Sequence, residues 1–367
     1  MPYQTCPCID EAAAVAAGGT MVEENVFAWS AWAYASLFRE QSPPRPLGEP
    51  PWTELAPLGL TALLHQALKK TGESVPDSSL SLRLRLTARN AVLLELAQRA
   101  GKALQDEGIR HLSMKGVATL ARFPACRALR PMADVDMLVS SRDFIRAHRC
   151  LLALGASADQ VYPMSRFWSC ERSAHFKLGQ LEATVDLHRS IHQWPLLRSL
   201  AVSALEQTQV HSGLHLPAPI PSLLLIAAHR ARNGFGDDAR ELLDARLLLD
   251  LLESEGWPEL LRQSQQDRLD GALLLLLDGI EAYFGLSDAD HQGRIALAGR
   301  LGPIQRRMIA RLEHQPMRIP AQLPFLRMYW SMPAATGQWL APAVGMAAHV
   351  LFRGADALLG GSRGSLE

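Results

Sequence analysis

The sequence predicts an α+β protein in which a small mixed sheet with flanking helices is embedded in a largely helical chain. Three observations predict it. Residues 109–192 alternate short apolar runs with helical ones in the order β-α-β-α-β-β. On both sides of that unit, apolar residues recur at helical spacing, broken by clusters of Pro, Gly, Ser and Asp. Within it, the run "DVDMLV" (134–139) alternates like a strand and sets two carboxylates one residue apart.

The elements follow in chain order. Residues 1–20 are low in complexity and are expected to be disordered. An N-terminal helical region, 21–108, opens with apolar and aromatic residues at helical spacing from Met21 to Phe38. The prolines of "QSPPRPLGEPPW" (41–52) make a loop, and a helix is expected around 53–70. "TGESVPDSS" is a second loop, with Asp77 or Ser78 placed to cap a long helix over 80–107 that Gly108 ends.

The core unit, 109–217, starts with the strand "IRHLSM". Lys115-Gly116 then turns the chain into the short helix "VATLARF", and the strand 134–139 follows. Ser140 and Asp143 start a helix that runs through Leu154 and stops at Gly155. "SAHFKLGQLEATVDLHRSI" has the form of a hairpin folded across Gly179-Gln180. A C-terminal helical domain, 218–300, carries apolar periods at 222–232, 239–253, 258–265 and 270–284, and 301–367 reads as a helical extension.

Composition narrows the function classes. Acidic and basic residues balance at 37 each, so no bulk field draws the chain to nucleic acid or an anionic membrane. No basic stripe with interleaved aromatics appears, which disfavours a polynucleotide partner. Five cysteines, an odd number without regular spacing, argue against a secreted disulfide scaffold. Cys6-Pro-Cys8 lacks a second Cys or His pair at zinc spacing. The N-terminus has no basic n-region of a signal peptide, and no apolar run reaches the ~18 residues that span a bilayer. A cytoplasmic protein is the expectation.

The chemistry-bearing residues lie in the core unit. Asp134 and Asp136 project to one side of their strand, with Val135, Met137 and Val139 on the other. Like charges that close are tolerated only where solvent or a cation relieves them, so the pair is either solvated at a sheet edge or bound to metal. Asp186, in "ATVDLHRS" on the last strand, offers a third carboxylate. Three carboxylates on neighbouring strands suit Mg²⁺ or Mn²⁺, which prefer oxygen ligands and take part of their shell from substrate phosphates. The Lys115-Gly116 turn opens a helix, so backbone N–H groups could face a phosphate, Gly116 allowing close approach and Lys115 adding charge.

These residues carry a resemblance. Met114-Lys115-Gly116, then Arg130 through Asp134 to Asp136, then Asp186-Leu187-His188 resembles the nucleotidyltransferase superfamily. More closely it is similar to the family of uncharacterised nucleotidyltransferases, whose members show a Leu-Lys-Gly turn, an Arg-x-x-x-Asp-x-Asp strand and a Glu-Leu-His-Trp strand. The resemblance covers most of residues 55–285 and implies a small nucleotidyltransferase-type mixed sheet. Asp186 stands where Glu is usual, Arg189 stands where Trp is common, and Lys-Gly replaces the superfamily's Gly-Ser turn.

On that resemblance the chain is expected to move a nucleoside monophosphate from an NTP to a hydroxyl acceptor. Asp134, Asp136 and Asp186 are the expected catalytic metal ligands, and Lys115, Gly116, Arg130, His188 and His229 the expected nucleotide contacts. Arg130 either meets the triphosphate or bridges to Asp134. His188 shares the face of Asp186 and either orients a ligand or is structural, and the same choice applies to His175. Asp244 and Arg240 read as an i,i+4 ion pair. The acceptor is a small molecule, sugar, peptide or protein, and a biosynthetic tailoring role is implied. A non-catalytic nucleotide-binding scaffold and a toxin-like enzyme of a toxin–antitoxin pair are the rival readings.

Overall fold

In the computed structural model, residues 21–75, 77–158, 170–191, 198–233, 235, 238–252, 254–314 and 336 are described. The expectations for residues 1–20, for Cys6-Pro-Cys8 and for most of 301–367 lie outside them. Four helices come first: α1 (Met21–Phe38), α2 (Trp52–Leu55), α3 (Thr61–Lys70) and α4 (Asp77–Asp106). The single helix expected over 53–70 is two. Pro57 and a left-handed Gly59, at φ +74°, break it, and a side chain at Gly59 would strike Arg240.

The core unit follows as β1 (His111–Ser113), α5 (Lys115–Arg122), a 3₁₀ turn (Pro124–Ala128), β2 (Val135–Val139), α6 (Phe144–Ala153), β3 (Ser157–Ala158), β4 (Glu171–Leu178) and β5 (Leu181–His188). The five strands form one mixed sheet in the order β1-β2-β5-β4-β3, with only β2 and β5 parallel. After α7 (Arg198–Glu206), β6 (Thr208–His211) and β7 (Leu214–Pro217) make a hairpin absent from the sequence reading. Its two-residue turn, Ser212-Gly213, has both φ angles positive, as a tight hairpin requires.

Six helices then complete the described chain: α8 (Pro219–Arg232), α9 (Ala239–Asp250), α10 (Trp257–Gln266), α11 (Asp270–Phe284), α12 (Asp288–Arg300) and α13 (Pro303–His314). Helix α1 packs on α3 and α11, so the N-terminal helices share a layer with the C-terminal helical region. Its Tyr34 hydroxyl donates to Asp250, and the buried Arg246 joins Asp250 to Asp290. A single hydrophobic core runs from Val26 to Ile309.

Strand β2 shows how alternation orients the sheet. Val135, Met137 and Val139 are all fully buried, and Met137 reaches Gly101 of α4, so the odd-numbered face is core. The even-numbered face carries Asp136. It is covered from across the cleft by α8 and α9.

One buried ion pair fixes those helices to the sheet. Arg130 donates from Nε to Asp244 Oδ1 at 3.0 Å and from Nη2 to Oδ2 at 2.7 Å. Asp244 is wholly buried and Arg130 nearly so. Arg130 Nη1 also donates to the Pro131 carbonyl at 2.7 Å, and buried Asn90 of α4 donates to the carbonyls of Arg127 and Arg130. Sequence spacing paired Asp244 with Arg240. In the fold Asp244 points inward to Arg130, and Arg240 turns back to Asp238 at 2.6 Å.

Removing one partner of such a pair strands a charge in the core and costs about 3–5 kcal/mol. Asp244→Asn is therefore expected to lower unfolding free energy by about that amount in urea titrations. Replacing both partners, Arg130→Met with Asp244→Leu, should recover much of the loss. A loss for Asp244→Asn below about 1 kcal/mol would mean that water reaches the pair.

Candidate active site

The parallel pairing of β2 with β5 builds the floor of the cleft. In its register Asp136 lies opposite Asp186, and backbones so paired stand about 4.8 Å apart. The next pairing sets Ser173 of β4 opposite Asp186 and Glu171 opposite His188. Alternation then sends Glu171, Ser173, Asp186 and His188 to the face that carries Asp136. Ser173 Oγ donates to Asp186 Oδ1 at 2.5 Å, which fixes that carboxylate from the side. Asp134 sits just before β2, at the mouth of the same cleft.

Lys115 closes one end. It begins α5 in the left-handed region at φ +48°, uncommon for a residue with a side chain. Its ammonium donates to Asp136 Oδ1 at 2.7 Å, and His188 Nε2 meets the same oxygen at 2.9 Å. Gly116 has a different role from the one its sequence suggests. A Cβ there would come within 2.4 Å of Arg130 Nη1, so the space beside the glycine belongs to Arg130. Arg130 lines the cleft, but Asp244 holds its guanidinium rather than Asp134 or an open phosphate position.

Helices α8 and α9 supply the far wall. His229 Nδ1 lies 2.6 Å from Glu241 Oε1. Arg232 meets Glu171 at 2.9 Å, and Asp238 caps α9 while holding Arg240. Together these walls enclose about 310 Å³.

The charges in this cleft are nearly all cross-paired. Lys115 answers Asp136, Arg232 answers Glu171 and Arg240 answers Asp238, while His229 meets Glu241 through Nδ1. Asp134 and Asp186 are left: among the described residues neither has a cation in ion-pair contact. Burial would push the Asp136 carboxyl up, but Lys115 and His188 hold it well below the usual carboxylate range. Burial raises Asp134, and the charge of Asp136 raises it further, against the opposing charges of Lys115, Arg130 and Arg240. Burial raises Asp186 too, with Glu171, Asp136 and Asp134 adding to the shift against the Ser173 hydrogen bond.

That imbalance is the test of whether a divalent cation fits. Two desolvated carboxylates without a direct ion-pair partner, flanking a third, form an oxygen-rich donor set whose negative charge is only partly offset. Mg²⁺ or Mn²⁺ suits it. Among the described residues no three ligating side chains form a ready cage. A cation that completes its shell with substrate phosphates and water needs none.

All eight residues singled out in the sequence line this cleft, with Arg130 held by Asp244 and Gly116 making room for its guanidinium. His175 lies farther along β4, against Thr184 Oγ1 at 3.1 Å. Arg189 sits over the Phe144 ring at 5.3 Å. Sequence reasoning missed Glu171, Ser173 as a partner of Asp186, Arg232 and Glu241. Counting the hairpin alternation back two residues from Ser173 would have found Glu171. Nothing local marks Glu241, whose role depends on how α9 packs against α8.

The chain matches the family described as uncharacterised nucleotidyltransferase over residues 53–285. No curated protein matches it.

The paired and unpaired carboxylates should separate in stability. A carboxyl lowered by folding contributes stability above its unfolded pKa that is lost as pH falls, whereas a raised one opposes folding as pH climbs through its folded value. Asp136→Asn is expected to lower the melting temperature at pH 7, because Lys115 and His188 lose their partner. Asp186→Asn should leave it unchanged or raise it. Equal losses in calorimetry would overturn the assignment of Asp186 as uncompensated.

Proposed function

Because the chain belongs to the family of uncharacterised nucleotidyltransferases, we propose that it transfers a nucleoside monophosphate from an NTP to a hydroxyl acceptor in this cleft. The observation that carries the reading is the register of β2 on β5, which sets Asp136 beside Asp186 with Asp134 at the mouth. Asp134, Asp136 and Asp186 would hold Mg²⁺ or Mn²⁺, which when bound neutralises the phosphates and lowers the pKa of the acceptor hydroxyl.

The chain's own groups supply position and charge, which is most of what phosphoryl-type transfer asks of a protein. Lys115 and His188 fix the orientation of Asp136, and Ser173 fixes that of Asp186. The N-terminus of α5 at Lys115-Gly116 presents backbone N–H groups to the triphosphate. Lys115, once released toward phosphate, offsets charge on the leaving pyrophosphate. The acceptor class that suits a cleft of this size is a small molecule, a sugar or one residue of a peptide or protein.

Incubation with each labelled NTP and Mg²⁺, with sugars, peptides or water as acceptor, should release pyrophosphate. Asp186→Asn is expected to lower turnover by orders of magnitude with a smaller change in NTP affinity, the signature of an interaction made chiefly in the transition state. Asp134→Asn and Asp136→Asn should damage both. Asp186→Glu, which restores the length usual in relatives, should keep measurable activity. Full activity in Asp186→Asn would remove that residue from the site.

Lys115→Ala gives an independent check. It should weaken NTP binding and leave nucleoside binding nearly unchanged, because an ammonium recognises phosphate charge. Equal weakening of both in calorimetric titrations would assign Lys115 to the fold or to the base instead.

A further inference from the structure

One pair in the cleft has no part in that reading. His229, on the last turn of α8, and Glu241, near the start of α9, meet through Nδ1 and Oε1 at 2.6 Å. Both are largely buried, with 16% and 9% of their side chains exposed, and both line the cleft that holds the three aspartates. Charge does not require the contact: Glu241 could be balanced by Lys115 or Arg230 nearby. A carboxylate on Nδ1 has a chemical consequence. It fixes the tautomer with the proton on Nδ1 and leaves the Nε2 lone pair as an acceptor.

The surroundings keep that lone pair usable. The exposed amide of Asn233 lies 3.2 Å from Nε2 and 3.4 Å from Nδ1, a place an incoming hydroxyl can take. Burial lowers the imidazole pKa, and the charge of Lys115 from α5 lowers it again, against the opposing charges of Glu241 on α9 and Asp136 on β2. The net shift favours the uncharged ring, which is the form a base requires. Burial opposes ionisation of Glu241, but the His229 hydrogen bond and the charge of Lys115 act to hold its carboxyl low.

We propose that His229, oriented by Glu241, is the general base that accepts the acceptor's proton during nucleotidyl transfer, a role that rests on the function proposed above. In the step, the acceptor oxygen forms a bond to the α-phosphorus while its O–H proton passes to His229 Nε2. The bond from the α-phosphorus to the bridging oxygen breaks, and its electron pair leaves with pyrophosphate. The proton on His229 returns to solvent after product departs. His229 touches the reacting hydroxyl and is catalytic; Glu241 acts through it and is a positioning residue.

The test uses the full chain with Mg²⁺ and NTP, water serving as acceptor, and reads pyrophosphate release across pH 5–9. The parent is expected to lose activity on the acid side as one group protonates. His229→Gln should reduce kcat by about 10²–10⁴-fold with little change in the KM for NTP, and should abolish that acid limb. Glu241→Gln, which keeps a hydrogen-bond acceptor but no charge, should reduce kcat less and move the limb. Nitrogen-15 spectra of the parent should show His229 neutral at pH 7 with its proton on Nδ1.

A His229→Gln protein with parental kcat and an unchanged acid limb would overturn the base while leaving nucleotidyl transfer intact. So would a His229 that is cationic, or protonated on Nε2, at pH 7. Absence of pyrophosphate release from the parent with every NTP would overturn the transfer reading itself, and the base with it.

Discussion

Arg130 and Asp244 face each other through two parallel N–H···O bonds in a part of the core that water does not reach, and the shape of the cleft follows from where they sit. The guanidinium lies against Gly116, so residue 116 can carry no side chain. The preceding residue enters the helix in a left-handed conformation, and the Lys115 ammonium donates to Asp136. The carboxylate end of the pair belongs to α9, so the same contact sets the height of Glu241 above the sheet. Buried ion pairs of this kind are weak contributors to net stability when both partners are in place, and removing one partner is costly. Here the arrangement is the site.

Around that frame the charges fall into two groups. Those on the walls are matched one to one and hold each other still. The two without an ion-pair partner, Asp134 and Asp186, are desolvated and mutually repelled, offset only in part by more distant cations and by the Ser173 hydrogen bond. Such placement works against the folded state. Its persistence in an otherwise well-paired cleft is what sets these carboxylates apart from ordinary surface acids, more than their identity or spacing does.

Much of this was legible in the sequence, and the boundary of legibility has a physical cause. Alternation along "DVDMLV" correctly sent Val135 and Met137 to the core and Asp136 to the opposite face, because a strand's two-residue period is a local property. The helices at 21–38, 80–107 and 270–284 were readable for the same reason. Partners across the chain were not. Arg240 and Asp244 satisfy an i,i+4 rule that the fold ignores, since Asp244 lies on the buried side of α9 and Arg240 on the cleft side. Gly116 looked like a phosphate contact because its neighbour Arg130 is fourteen residues away in the chain. The β6–β7 hairpin escaped because its strands are only four residues long.

The single oxygen shared by Lys115 and His188 has one more consequence. On the proposed function, a triphosphate that draws the ammonium away from Asp136 Oδ1 frees a lone pair on that carboxylate at the same moment. An anion entering at the lysine and a cation entering at the aspartate then exchange partners, each vacating the place the other needs. Binding of one must favour binding of the other, and by thermodynamic reciprocity the effect has equal size in both directions. Nucleotide and metal would behave as cooperative ligands whose coupling is carried by one internal salt bridge.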